Sequence, residues 1–376
     1  MARNKIVDTF VKLVSIPSPS GQERAVAEYI KRYLANSGIR SHFDNTGRLN
    51  DSDSGNLVAR LDGENASIVF IAHIDTVEDG DEPIRPVVRD GTVTSDGRTV
   101  LGVDNKAAVA SLMEAIKEIK RMKKHPTVTA VFSTREENGV MGVEYLKLDK
   151  ERDIVFVIDA ALTSGAFVNK ALGQIPFTIE IYGKEAHAAL DPERGINAVR
   201  AAALVVSRLR LGKATDGSTL NIGKIRGGSV VNVVPKKAVI SGEVRAYSYA
   251  GMHSKLAAVE NVVRAVCKKT GCSYKLNRRI KEGAPPFSVH PNKGIVALAK
   301  SASESAGLKF NLMSLSASGE ANVLDSRGFA VLELCRGGKA PHSVNESVTE
   351  AELVTLKEVI VEIAKNANAI LRPSSS

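Results

Sequence analysis

The strongest constraint on this chain is a set of short, unbroken apolar runs that each lead to a residue able to hold a metal or move a proton. The first is Ile68-Val69-Phe70-Ile71-Ala72, followed by His73-Ile74-Asp75. A run rich in Ile and Val with no polar alternation reads as a strand buried on both faces. In open α/β sheets the chemistry gathers just beyond the carboxyl ends of such strands. His73 and Asp75 are two apart and so point to the same side, which suits a histidine ligand oriented by a neighbouring carboxylate. An ordinary His–Asp pair would read the same way in isolation.

The other runs make the pattern harder to dismiss. Thr127 to Phe132 leads into Ser133-Thr134-Arg135-Glu136-Glu137-Asn138-Gly139, and Asp153 to Ile158 ends in Asp159. Ala330 to Leu334 precedes Gly337-Gly338-Lys339-Ala340-Pro341-His342-Ser343. Leu101-Gly102-Val103-Asp104 opens a long amphipathic helix, where Asp104 is either an N-cap or a ligand. Adjacent acids after a buried strand are costly unless something positive lies between them. His73, Asp104, Glu136, Glu137, Asp159 and His342 together are the ligand types a zinc-like centre needs.

Two ions bridged by one carboxylate need one shared acid and two further ligands each. Asp104 is read as the shared acid, with His73 and Asp159 on one ion and Glu137 and His342 on the other. Glu136 is then free to serve as general base for a water molecule, or else is simply paired with Arg135. Asp75 becomes the partner that orients His73. The implied cofactors are two divalent metal ions, zinc first, with cobalt and manganese compatible with the same donors. The implied reaction class is amide hydrolysis.

At 376 residues the chain points to two domains. From Gln174 to Lys275 the order reads strand, helix, strand, strand, helix, strand, the ferredoxin-like βαββαβ arrangement. The flanking segments carry an α/β pattern, giving expected boundaries of 1–172, 173–282 and 283–376, with Gly283-Ala284-Pro285-Pro286 as a linker. In the outer parts we expect two helices over 5–37 and a loop or hairpin over 42–54. The stretch from Glu78 to Thr99 is rich in turns. A helix over 292–306, a strand at Lys309 to Leu312 and a closing helix from Glu350 to Leu371 complete the pattern.

Composition excludes several classes. A hydrophobic fraction of 43% and a charged fraction of 25% are ordinary for a globular chain, and nothing resembles a membrane span. The opening Met1-Ala2-Arg3-Asn4-Lys5 lacks the apolar core of a signal peptide. Three cysteines without framework spacing fit a reducing compartment, so the expected location is cytoplasmic. The net charge of +9 invites a nucleic-acid partner, but the basic residues are scattered, tryptophan is absent and aromatics are only 5%. Neither nucleic acid nor membrane is expected as a partner.

As a set, His73-x-Asp75, Gly102-x-Asp104-x-Lys106, Glu136-Glu137, Asp159 and His342 resemble the dinuclear zinc peptidases and deacylases, the family of peptidase T, carboxypeptidase G and aminoacylase. Gly183-Lys184-Glu185-Ala186-His187-Ala188 and Pro192-Glu193-Arg194-Gly195-Ile196-Asn197-Ala198 are most similar to the peptidase T branch. The resemblance implies a mixed-sheet catalytic domain with an inserted ferredoxin-like lid and dimerisation domain, and hence a homodimer. It assigns His187 to oxyanion stabilisation, in its own or a neighbouring site, and Asn232 and Arg245 to substrate contact. A related family with glutamyl-aminopeptidase-like ligands places its extra domain between the first His and the shared Asp. Here those residues are only about thirty apart, too few for a domain. The resemblance implies cleavage of a small peptide, with an N-acyl amino acid as the alternative substrate, and the net charge of +9 leaves a non-catalytic metal-binding or basic interaction protein as a remote alternative. Asn105 and the Gly319-Glu320-Ala321 segment depart from the branch pattern, and both are expected to lie clear of the ligands.

Overall fold

The computed structural model describes residues 4–77, 82–279, 283–290 and 293–371. The first residues of two expected elements, Glu78 of the turn-rich stretch and residue 292 of the following helix, lie outside them. The chain divides into two units, one of Met1–Asn169, Val289–Leu315 and Gly319–Ser376, the other of Lys170–Ser288 with Ser316–Ser318.

The first unit is built on a mixed sheet. Its interior strands run Thr127–Ser133, Ser67–His73, Asp153–Ile158 and Ala330–Leu334, each parallel to the next. Leu57–Leu61 joins one side and Phe167–Ala171 the other, both antiparallel. Every residue of Ser67–His73 and of Thr127–Ser133 is buried, as the unbroken apolar runs require. Phe70 stacks on Phe156 of the neighbouring strand with ring centroids 5.8 Å apart. The helix Val103–Lys120 lies against Ser67–His73 and against the helices Lys5–Val14 and Glu350–Ile370. Because the interior strands are parallel, their carboxyl ends, His73, Ser133, Ile158 and Leu334, share one edge.

Besides the strand Phe167–Ala171, which the sequence reading lacks, three details differ. Within the turn-rich stretch, Val87–Arg89 and Thr92–Thr94 form a hairpin that also pairs with Ser347–Thr349. The 42–54 segment includes the short helix Gly47–Asn50 after the strand Ser41–Phe43. The strand expected at Lys309 to Leu312 sits at Leu312–Leu315.

The second unit is an antiparallel sheet in the order Gly212–Lys213, Thr219–Gly227, Lys237–Ala246, Gly173–Tyr182 and Ser273–Arg278. Along Gly173–Tyr182 burial alternates strictly, with Ile175, Phe177, Ile179 and Ile181 inward. Those side chains pack with Ala201, Ala202 and Val205 of the helix Ala198–Arg208 and with Val259 and Val263 of the helix Tyr249–Thr270. The helices thus cover one face, the ferredoxin-like plan that βαββαβ order specifies. Ser248 and Asn197 cap the two helices through their side chains. Among the described residues no helix is long and apolar enough to cross a membrane.

Candidate metal centre

Asp75 organises the heart of the site. It is fully buried, and its two carboxylate oxygens accept the backbone N–H groups of Glu136 and Glu137, each at 3.1 Å. Ser20 donates to it at 2.6 Å. Asp75 also stands 3.3 Å from Nδ1 of His73, whose ring therefore turns Nε2 outward from the strand end. The acid expected to orient one histidine thus also holds the Glu136-Glu137 backbone. Glu23 adds to this hold: its buried carboxylate accepts the N–H of Arg135, a residue in the left-handed region at φ 55°.

Asp104 enters from the first turn of Val103–Lys120, where the peptide to Asn105 is cis. Its Oδ1 lies 3.2 Å from Nε2 of His73, and its Oδ2 lies 3.4 Å from Nε2 of His342. His342 is also 3.0 Å from Oε1 of Glu137. Asp159 lies 3.7 Å from Nε2 of His73. Ligand atoms of His73, Glu136 and Asp159 lie within 4.8 Å of one another, and so do those of His73, Asp104 and Glu137. The fold therefore brings all seven residues singled out in the first unit to one strand-end cluster.

Burial pushes the Glu136 carboxyl well up, assisted by Asp159, Glu320 and Glu137. It also lifts Glu137 to about 7. Burial alone would lower His73, but Asp104, Asp159 and Asp75 outweigh it and raise the imidazole. His342 is raised to about 9, chiefly by Asp104. Burial would raise Asp104, yet Arg336, His342 and His73 hold it well below the usual range. The cluster thus crowds more acids together than its histidines and Arg336 can balance without raised carboxyls, the condition under which a divalent cation is a better counter-charge.

Two further observations fit a metal. Glu320 is fully buried with neither oxygen in a well-formed hydrogen bond among the described residues, and burial lifts it to about 7 against the opposing pull of the nearby Ser133 hydroxyl. The donors are imidazole nitrogens and carboxylate oxygens, the set that first-row divalent ions prefer. Glu320 also corrects an expectation. Its segment is not clear of the ligands: a side chain on Gly319 would come within 3.4 Å of Glu136 and 3.5 Å of Asp159. Asn105, the other departure, is buried beside Asp104 and donates to the Ile158 carbonyl at 2.6 Å.

Sequence reasoning missed Arg336 and Glu346. Arg336 follows the Ala330–Leu334 strand, but a search for acids and histidines passes over a cation at a strand end. Glu346 accepts the N–H groups of Leu101, Gly102 and Asp104 at 3.0, 2.6 and 3.0 Å, and so fixes the start of the helix that carries Asp104. Its position four residues after His342 was the available signal.

In the second unit, the strand Ala186–His187 pairs with Val233–Val234. Nδ1 of His187 accepts from the backbones of Ala189 and Leu190 at 3.2 and 3.1 Å. Asn232 is adjacent, its carbonyl accepting from Ala188. Arg245 lies apart from this pair on Lys237–Ala246, with Nε 2.8 Å from Glu243.

The fold and this cluster define a mixed-sheet α/β enzyme with an inserted ferredoxin-like domain. The chain is an enzyme related to peptidases and deacylases, as the comparisons show. A peptidase dimerisation domain model matches residues 170–271, and an M42 glutamyl aminopeptidase model matches residues 86–174. The aminopeptidase PepT from Bacillus cereus superposes with a TM-score of 0.88 at 28% identity, covering 96% of this chain and 97% of that one. An uncharacterised protein of Bacillus subtilis, YqjE, is 29% identical over 96% of this chain and 98% of its own length. The succinyl-diaminopimelate desuccinylase of a Nitratiruptor species is 25% identical over 96% and 100%. The dimerisation model falls between Asp159 and His342, the placement that separates the two ligand-sharing families in the sequence.

Proposed function

We propose that the chain is a metal-dependent aminopeptidase that cleaves small peptides, using two divalent ions, zinc first. The observation that carries this reading is the pair of ligand clusters meeting at His73. His73 and Asp159 would hold one ion, Glu137 and His342 the other, with Asp104 between them. Such ions, when bound, polarise the scissile carbonyl and make water a better nucleophile at neutral pH.

The remaining work falls to the chain. Glu136, kept in place by Asp75, takes the proton from the attacking water at its carboxylate and returns it to the departing amine. His187 accepts two backbone N–H groups at Nδ1, so the neutral ring carries its proton on Nε2, a donor suited to a developing oxyanion. Asn232 and Arg245 are assigned to substrate contact, Arg245 as the fork for a carboxylate.

A homodimer through the second unit is supported by the outer edge of Thr219–Gly227. Among the described residues only Thr219 and Leu220 are paired there, through Gly212–Lys213, and nearby Ile225, Val230 and Val231 are exposed. An open edge flanked by apolar side chains suits pairing with a second copy. The free cysteines are consistent with a cytoplasmic setting.

Purified protein loaded with zinc, cobalt or manganese should cleave unblocked di- and tripeptides faster than N-acyl amino acids. The reverse preference favours a deacylase, the reading that the desuccinylase relative supports. His73→Ala should lower bound metal by elemental analysis, and unchanged stoichiometry removes it from the ligand set.

A further inference from the structure

Arg336 is the largest fully buried side chain among the described residues, at 1% exposure, and the metal reading gives it no task. Its Nη2 lies 2.8 Å from Oδ2 of Asp104 and its Nε 3.9 Å from Oδ1 of Asp159. Nη1 donates to the Gly337 carbonyl at 3.0 Å, and the backbone N–H donates to Ala160 at 3.0 Å. The pocket is fitted to it: Gly338 is in the left-handed region at φ 82°, and a Cβ there would come within 3.2 Å of Nη1 and 2.7 Å of Val103.

This placement is unusual for a metal centre. Oδ2 of Asp104 faces both Arg336 and His342, so a fixed cation shares the oxygen that an ion on the His342 side would use. Arginine cannot shed its charge in a protein, and this one is too enclosed to swing away. Its neighbours include another buried acid, Glu346, whose carboxylate is held by backbone N–H groups. Before any ion binds, a guanidinium among these carboxylates offsets their mutual repulsion. After an ion binds, the same guanidinium repels it. Both effects act against metal uptake, one by stabilising the metal-free chain and the other by destabilising the loaded one.

We propose that Arg336 is a built-in competitor for the metal, weakening the ion held by Asp104, Glu137 and His342 and so setting the two ions at unequal affinity. Arg336 is a positioning residue here, since it acts through Asp104 and Asp159. The inference rests on the metal reading above, and the test separates the two.

Zinc and manganese affinities of wild type, R336M and R336K would be measured by competition with a chromophoric chelator, with stoichiometry by elemental analysis. Thermal midpoints would be recorded with and without metal. R336M keeps the length of the side chain and removes its charge. It should bind the weaker ion at least tenfold more tightly, melt lower than wild type without metal, and gain more from metal. R336K should stay close to wild type. If R336M does not fold, R336Q gives the same readout. Equal or weaker metal binding by the uncharged variant overturns the inference while leaving the metal centre intact. A wild type that takes up no divalent ion overturns the metal reading and this inference with it.

Discussion

The two sheets of this molecule solve opposite problems. In the first unit the strand Ser67–His73 is buried along its whole length, so polar chemistry is confined to its carboxyl end. In the second unit Gly173–Tyr182 buries every other residue, so polar groups occur all along the strand. Charge follows the same division. Residues 170–288 carry 20 Lys and Arg against 8 Asp and Glu, so the basic excess of the chain resides there, whereas the first unit buries its acids. A sheet buried on both faces gathers most of its charged groups at one end, and a sheet with an open face disperses them.

The sharpest way to break this comparison is at Glu136. Glu136→Gln should reduce kcat by about 10²–10⁴-fold with two metals still bound, measured by steady-state kinetics and elemental analysis. Retained activity would move the base elsewhere. The packing contrast comes next. Phe70→Ala and Ile71→Ala are adjacent and should both be costly, by about 2–5 kcal/mol in denaturant unfolding. In the second unit Ile179→Ala should cost a similar amount, but its neighbour Thr178→Ala only about 0.5 kcal/mol or less. Comparable losses at Ile179 and Thr178 would erase the distinction between the sheets. Asp75→Asn should lower activity less than Glu136→Gln, about 10–100-fold, because one of its two oxygens can still accept from the Glu136-Glu137 backbone. Circular dichroism should show the fold unchanged. Equal loss of folding and activity would make Asp75 a structural residue.

The same contrast explains what could be read from the sequence. Strands buried on both faces announce themselves as unbroken apolar runs, and their ends led to His73, Glu136, Glu137 and Asp159 without a structure. The ferredoxin-like order was legible because its strands alternate and its helices are long. The Val87–Arg89 and Thr92–Thr94 hairpin was not, since three-residue strands carry little pattern and their third partner, Ser347–Thr349, is remote in sequence. Phe167–Ala171 was missed because Asn169 and Lys170 interrupt its apolar character. Arg336 was invisible for another reason: its role is defined by what surrounds it, and a lone arginine near a strand end ordinarily points to water.

The strand order of the first unit has a consequence for how the protein is made. Ala330–Leu334 fills the slot between Asp153–Ile158 and Phe167–Ala171, and it brings Arg336, His342 and Glu346 with it. As the chain leaves the ribosome, residues 170–288 are delivered whole while that slot still stands open, and Asp104 has neither its arginine nor the acid that fixes its helix. The centre is therefore complete only with the last interior strand in place. A chain that stops before residue 330 would lack the arginine, the histidine and the acid together, so no shorter length of it could complete the centre.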